Sequence, residues 1–406
     1  MKRILTSLVA IIVALTAAAA PRAEVSLLTC MEGSDIYELE GHTGLRIRFD
    51  NNQDMTVNWG VFDFNSPGFV YRFVKGETDY LAAAFPTDLF LDSYRADGRA
   101  VYEQTLALDS LQTERLMELI FENLRPENRV YRYNYVLDNC ATRPLALIER
   151  ALGDTLTLSS PGVPASERNT FRNAMRHFHA NYPWYQFGID TALGSGIDRP
   201  VSEREASFAP VMLADMLAGA TTSTGTPIVR SSQWLVGGPD TPSASLGPTP
   251  LALTPLFWGW AVFAIAFTVT ILQMRGMARW GRWFDTVYFA VLGLSGLLLT
   301  FLIFVSVHEA TSPNWLYLWL NPLCFIGAVA PWLKKGKRLE FCYQSVNFAL
   351  LIVLGVLLAL GVQSPNPAFI PLMAASALRA AAAIKQNHRG KVLYVIVECC
   401  LYSFSS

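Results

Sequence analysis

The sequence predicts an exported α+β domain followed by an all-α membrane domain of five helices. Three observations predict it. The chain opens with Lys2 and Arg3, then the apolar run Ile4 to Thr16, then the small residues Ala17 to Ala20. That is the order of a secretory signal. Next comes soluble composition in which alternating and helical apolar patterns are mixed. Then come five apolar stretches, each near the roughly 20 residues that cross a bilayer. The whole chain is 52% hydrophobic and only 16% charged, well below the roughly 25% charge of soluble domains. A formal net charge of −1 gives no reason to expect a nucleic-acid partner.

The boundaries read as a signal peptide over 1–23, an exported domain over 24–217, a linker over 218–253 and a membrane domain over 254–406. A retained N-terminal anchor is the alternative to cleavage. Cys30 does not read as a lipidation site, because Leu27-Leu28-Thr29 puts no small residue before it. Leu45-Arg46-Ile47-Arg48-Phe49 alternates as a half-buried strand does. Asp50 to Asp54 turns the chain and Met55 to Phe64 returns it, which makes a hairpin. Phe69 to Val74 and Asp79 to Ala84 read as short strands. Leu108 to Asn123 reads as a helix capped by Asp109 or Ser110, with Leu116, Leu119 and Ile120 inward. The run Tyr131-Arg132-Tyr133-Asn134-Tyr135 alternates again, and Leu145 to Leu152 is helix-compatible. Thr221 to Pro227 and Gly237 to Ser243 are rich in Thr, Ser, Gly and Pro, as loops and linkers are.

The five expected spans are Pro255–Met274, Phe284–Val307, Trp315–Leu333, Ser345–Val362 and Pro367–Ile384. Arg275, Arg279 and Arg282 follow the first, Lys334, Lys335, Lys337 and Arg338 the third, and Lys385, Arg389 and Lys391 the fifth. The loops after the second and fourth carry no Lys or Arg. The positive-inside rule then puts the residues before the first span on the outer face, in agreement with the signal. The tail Val392 to Tyr402 is apolar but too short to cross.

Chemistry is suggested by Asp138-Asn139-Cys140-Ala141-Thr142-Arg143-Pro144. Here a cysteine sits where an extended segment hands over to a helix. Helix N-terminal amides favour thiolate over thiol and can hold an oxyanion. Upstream, Gly41-His42-Thr43 opens the alternating strand. A thiol site needs a base to take and return the proton, and a third polar group that fixes the imidazole tautomer. Asn58 on the returning strand is one candidate; Asp63 is the other, since strict hairpin register would bring it nearest His42. His177 and His179 are alternative bases in a basic helical stretch. Cys30 and Cys140 in an oxidising compartment could instead form a structural disulfide. Arg143, Arg129 and Arg132 are candidate contacts for phosphate head groups, with salt bridges inside the domain as the alternative. No CxxC or His/Cys ligand spacing suggests a metal, and no cofactor is called for.

The order histidine-then-cysteine resembles the circularly permuted papain-like group, the NlpC/LRAT-like fold that includes lecithin:retinol acyltransferase-like enzymes. Further segments extend the likeness: Leu27-Leu28-Thr29-Cys30, Gly41-His42-Thr43, Asn58-Trp59-Gly60-Val61-Phe62-Asp63-Phe64, Arg125-Pro126-Glu127-Asn128-Arg129, the Cys140 segment and Phe187-Gly188-Ile189-Asp190. Together, with five spans behind them, they resemble the Lnb family of bacterial lipoprotein N-acyltransferases. Trp59 stands where that pattern would have Tyr, and either aromatic can pack there.

The resemblance implies a thiol acyltransferase of the bacterial inner membrane, with its catalytic domain in the periplasm. Cys140 would take an acyl chain from a membrane phospholipid as a thioester and pass it to the α-amine of a diacylglyceryl-cysteine lipoprotein. His42 would serve as base and Asn58 would orient it. Arg143, Arg129 and Asp63 would meet the substrates. Two other classes fit the sequence: a membrane-tethered cysteine hydrolase acting on the cell wall, and a non-catalytic membrane protein with a Cys30–Cys140 disulfide.

Overall fold

The structure is a computed structural model that describes residues 22–241 and 246–388. Residues 1–21 of the expected signal and the apolar tail Val392 to Tyr402 lie outside the described residues. The chain forms two compact units. One comprises residues up to Asp63, Asp79–Val163 and Glu203–Ser245; the other comprises Phe64–Thr78, Pro164–Ser202 and the chain from Leu246 on.

The first unit is built on one sheet of seven strands: β1 Ala23–Cys30, β2 His42–Phe49, β3 Asp54–Val61, β4 Asp79–Pro86, β5 Val101–Leu106, β6 Val130–Arg132 and β7 Val229–Val236. Their order is β6-β4-β3-β2-β1-β5-β7, and every neighbouring pair is antiparallel. The alternation seen in the sequence fixes the two faces, because successive side chains point to opposite sides of a strand. Val25 and Leu27, Leu45 and Ile47, and Val57 and Trp59 point to one face. They pack there with Leu116 and Ile120 of helix Ser110–Leu124 and with Leu145 and Ile148 of helix Thr142–Leu152. Burying each such side chain stabilises by about 1.5–3 kcal/mol. On the other face, Leu28 and Cys30 meet Phe90 and Leu91 of helix Thr87–Ala96. Helix Ser110–Leu124 starts as its sequence suggests. The Asp109 carboxylate accepts from the Gln112 N–H, and the Gln112 side chain accepts in return from the Asp109 N–H, a reciprocal cap.

Two expectations are corrected. Phe69 to Val74 is not a strand but part of helix Phe69–Lys75. Its aromatic and β-branched residues suit a strand, yet Gly68 and Gly76 at its two ends both take positive φ. Left-handed glycines at both ends close a short helix. The expected linker contains β7, which pairs with β5 from Val101 to Leu106. Glycine, threonine and proline on either side mask a strand whose partner is remote in sequence.

Among the described residues, the second unit has three helices long and apolar enough to cross a membrane: Pro255–Met274, Ala278–Phe304 and Lys337–Ala359. They correspond to the first, second and fourth expected spans. The fifth is also helical, Phe369–His388, but its alanines and Arg379 leave it less apolar. The third expected span is broken. Trp315–Leu318 and Ala330–Trp332 are 3₁₀ turns, and between them Cys324–Val329 is a short helix. Asn321, Pro322 and Pro331 interrupt a run whose hydropathy alone suggests continuity, since proline removes a helix donor and clashes with the preceding turn. Arg379 is fully buried, with Nε and Nη2 on the Asp285 carboxylate at 2.6 Å, Nη1 on Thr270 Oγ1 and Nη2 also on Gln273 Oε1. A buried charge is tolerable when its donors are met in this way. In the same unit Arg172, also fully buried, donates to Asp190, Asp198 and the carbonyls of Leu193 and Gly194. Asp190 is in turn bound by Asn366 Nδ2. Residues 164–202 thus join the loops of the helical unit, although their composition is that of a soluble segment.

Candidate active site

β2 and its neighbours carry the histidine. The first residue of β2, His42, pairs with Cys30, the last residue of β1. The chain between them is braced. The Arg99 side chain donates to the Glu38 carboxylate at 2.5 Å and to the Met31 carbonyl at 2.9 Å. Gly41 enters the strand at φ 80°, and a Cβ there would sit 2.5 Å from the Cys30 carbonyl oxygen. Only glycine fits that approach. Gly44 pairs with Asn58 on β3, so His42 and Asn58 lie diagonally on one face. Asn58 Oδ1 is 2.5 Å from His42 Nε2. Since an amide oxygen only accepts, Nε2 carries the hydrogen and Nδ1 keeps its lone pair. Asp63 lies exposed beyond the end of β3. The register pairs residue 44 with 58, which leaves Asp63 past the point opposite His42.

Cys140 precedes helix Thr142–Leu152 and is buried. Asn139 fixes this corner. Its Oδ1 accepts from the amides of Ala141 and Thr142 at 2.8 and 2.9 Å, and its Nδ2 donates to the carbonyls of Tyr135 and Phe208 at 2.7 and 2.9 Å. The expectation that helix N-terminal amides serve the sulfur is therefore corrected, because those of Ala141 and Thr142 already hold Asn139. The amides of Thr43 and of Cys140 itself favour the charged form of the sulfur. The Tyr133 hydroxyl also donates to the sulfur, at 3.9 Å. Gly60, at φ 94° in a bulge of β3, makes room for the Tyr133 ring.

Burial governs the ionisation. It pushes the Cys140 thiol up to about 11, against the lowering by the Thr43 amide and Tyr133. It pushes His42 down to about 4, although Asn58 favours the charged ring. His42 keeps some solvent contact, yet enough protein surrounds the ring for desolvation to win. At neutral pH the resting pair is a thiol and a neutral imidazole, not the thiolate that the helix terminus led one to expect.

The other expected site residues lie as follows. Arg143 is held by Asp138 at 2.5 and 2.8 Å and lies over the Tyr131 ring at 3.6 Å. Arg129 is exposed just before β6. Arg132, at its end, is 4.0 Å from Asp79. His177 bonds Glu167 and His179 bonds Gln186, all four within the second unit. Cys30 and Cys140 are both free thiols, so the disulfide alternative is not what the structure has. Sequence reasoning missed the part of Asn139, whose place before the helix was the available signal, and that of Tyr133. It also missed Glu40, a buried carboxylate that accepts from the Tyr135 hydroxyl.

A His42–Asn58 pair and a buried Cys140 in one sheet domain, on a chain with long apolar helices, make this a membrane protein with a candidate thiol site. Residues 14–175 match the Lnb N-terminal periplasmic domain and residues 248–390 match the Lnb transmembrane domain. The chain belongs to the Lnb family, as a membrane-bound protein with a periplasmic domain. No curated protein and no solved structure matches it.

Proposed function

We propose that this protein is a lipoprotein N-acyltransferase that works through an acyl thioester on Cys140. The observation that carries the reading is the His42–Asn58 bond of 2.5 Å, in the same sheet domain as a buried cysteine whose charged form the Thr43 amide favours. It is one oriented base and one sulfur, as in the permuted papain-like arrangement. The chain is multi-pass in the bacterial inner membrane, with this domain on the periplasmic side, an orientation supported by the Lys and Arg residues of alternate loops.

In the first step the Cys140 sulfur attacks the ester carbonyl of a membrane phospholipid, and its proton passes to His42 Nδ1. The Thr43 and Cys140 amides stabilise the oxyanion. The carbon–oxygen bond breaks, His42 returns the proton to the leaving oxygen, and a lysophospholipid departs. In the second step the neutral α-amine of a diacylglyceryl-cysteine lipoprotein attacks the thioester. The amine's proton passes through His42 to the departing sulfur, and an amide forms. Starting from a neutral pair suits both steps, because the base is unprotonated at working pH. Both substrates are held in the bilayer, which raises their effective concentration at a tethered site. Arg129 and Asp63, both exposed, meet the head group and the acceptor. Arg143, held by Asp138, keeps the Cys140 corner in place.

The test is mass spectrometry of a lipoprotein's N-terminal peptide from cells whose lipoprotein N-acylation depends on this protein. The Cys140→Ser form should leave the peptide diacylated. Undiminished N-acylation would overturn the reading.

A further inference from the structure

We propose that Phe64–Lys75, a segment lying between two strands of the sheet domain in sequence, is an interfacial anchor that rests in the lipid bilayer. Its helix, Phe69–Lys75, belongs to the same compact unit as the apolar helices. It is tied to the end of helix Ala278–Phe304. The Val307 amide donates to the Lys75 carbonyl at 2.8 Å, Ser306 Oγ to the Val74 carbonyl at 2.9 Å and His308 Nε2 to the Phe73 carbonyl at 2.8 Å. The Tyr71 ring lies 5.9 Å from the Phe301 ring.

These contacts set the depth. Helix Ala278–Phe304 has 27 residues, about 40 Å at 1.5 Å per residue, which exceeds the roughly 30 Å of bilayer hydrocarbon. Arg279 and Arg282 mark one of its ends. The short helix docks at the other, within about a turn of Phe304. There Leu297, Leu298, Phe304 and Val307 are themselves exposed apolar residues, as expected of a surface that faces lipid.

The side chains fit the place. Phe69 turns inward and Val74 packs on the membrane-helix core. Val70 is 73% exposed, Phe64 57% and Phe73 48%. Arg72 and Lys75 stand in the helix's last turn. Apolar side chains beside cations at the end of a span are the composition of an interfacial helix. A second soluble-type segment reaches the end of another span. Trp184 Nε1 donates to the Leu253 carbonyl at 2.7 Å, just before helix Pro255–Met274, whose first turns expose Trp258 and Trp260. Trp at the end of a span is the mark of the membrane–water boundary. The exposed faces of Val70 and Phe73 thus continue the lipid-facing surface of the helix beneath them, and lipid covers them.

The full chain in phosphatidylethanolamine–phosphatidylglycerol proteoliposomes provides the test. Benzoylphenylalanine is placed at position 70 or 73, or at Leu294 in the middle of the span as the reference, and irradiated. Digested peptides are then searched for phospholipid adducts. Positions 70 and 73 should give lipid adducts within about threefold of the Leu294 yield. A yield tenfold or more below it overturns the proposal, as does crosslinking of these positions chiefly to protein. The readout does not depend on acyl transfer, so it succeeds or fails apart from the proposed function.

Discussion

Replacing Asn58 with aspartate should move the acid limb of the pH–rate profile. In the wild type, burial holds His42 at about 4, so its neutral form is present across the physiological range. A carboxylate in place of the amide that now lies 2.5 Å from Nε2 stabilises the imidazolium. At about 3 Å and an effective dielectric constant near 20 the attraction is about 5 kcal/mol, a ceiling of about 4 pKa units. The burial cost of the new carboxylate offsets part of that, which leaves a rise of about 2 units. The sign follows directly: a raised pKa keeps the base protonated to higher pH, so the acid limb climbs from near 4 to near 6. Asn58→Ala leaves a part-buried Nε2–H without its partner instead, at about 1–3 kcal/mol, or roughly 5- to 150-fold in rate, without an upward shift of the limb. The assay is acyl transfer from a labelled phospholipid in detergent micelles from pH 4 to 9. An Asn58→Asp profile that overlays the wild type would refute the idea that Asn58 acts on a catalytic His42. So would full activity in Asn58→Ala.

Three further outcomes follow from the same geometry. Iodoacetamide should alkylate Cys140 about tenfold faster for each pH unit between 7 and 9, because a thiol pushed up to about 11 is far from its plateau; a flat rate there would mean a preformed thiolate–imidazolium pair. Thermal stability should fall as pH drops from 6.5 to 4. The unfolded chain takes a proton on His42 in that window and the folded one does not, a loss of about 3 kcal/mol, and His42→Gln should flatten the slope. Asn139→Ala removes four bonds from its side chain to backbone groups and one from the Thr142 hydroxyl; it should cost about 2–4 kcal/mol in stability, read from the melting temperature in detergent.

Much of this was legible in the sequence, and the reason differs by element. The β2–β3 hairpin was readable because alternation and a polar turn are local signals, and Leu45, Ile47, Val57 and Trp59 share the core face as alternation requires. The Asp109 cap was readable for the same reason. β7 was not, since it pairs with β5, more than a hundred residues away. Choosing Asn58 over Asp63 needed the register, which pattern alone leaves open by a residue or two. The ionisation at Cys140 was misjudged because a helix start suggests a stabilised thiolate, whereas sequence reveals neither the depth of burial nor the capture of the Ala141 and Thr142 amides by Asn139. The third apolar stretch had the hydropathy of a span, but its asparagine and prolines break it.

The central claim is that the Cys140 sulfur carries the acyl chain. Its most direct measurement is intact-protein mass spectrometry after incubation with phospholipid and no acceptor. The account predicts one added fatty acyl mass on Cys140, removed by neutral hydroxylamine or by a diacylglyceryl peptide, and absent from Cys140→Ala and His42→Gln. A chain that transfers acyl groups yet never bears that adduct, or bears it on another residue, would contradict it.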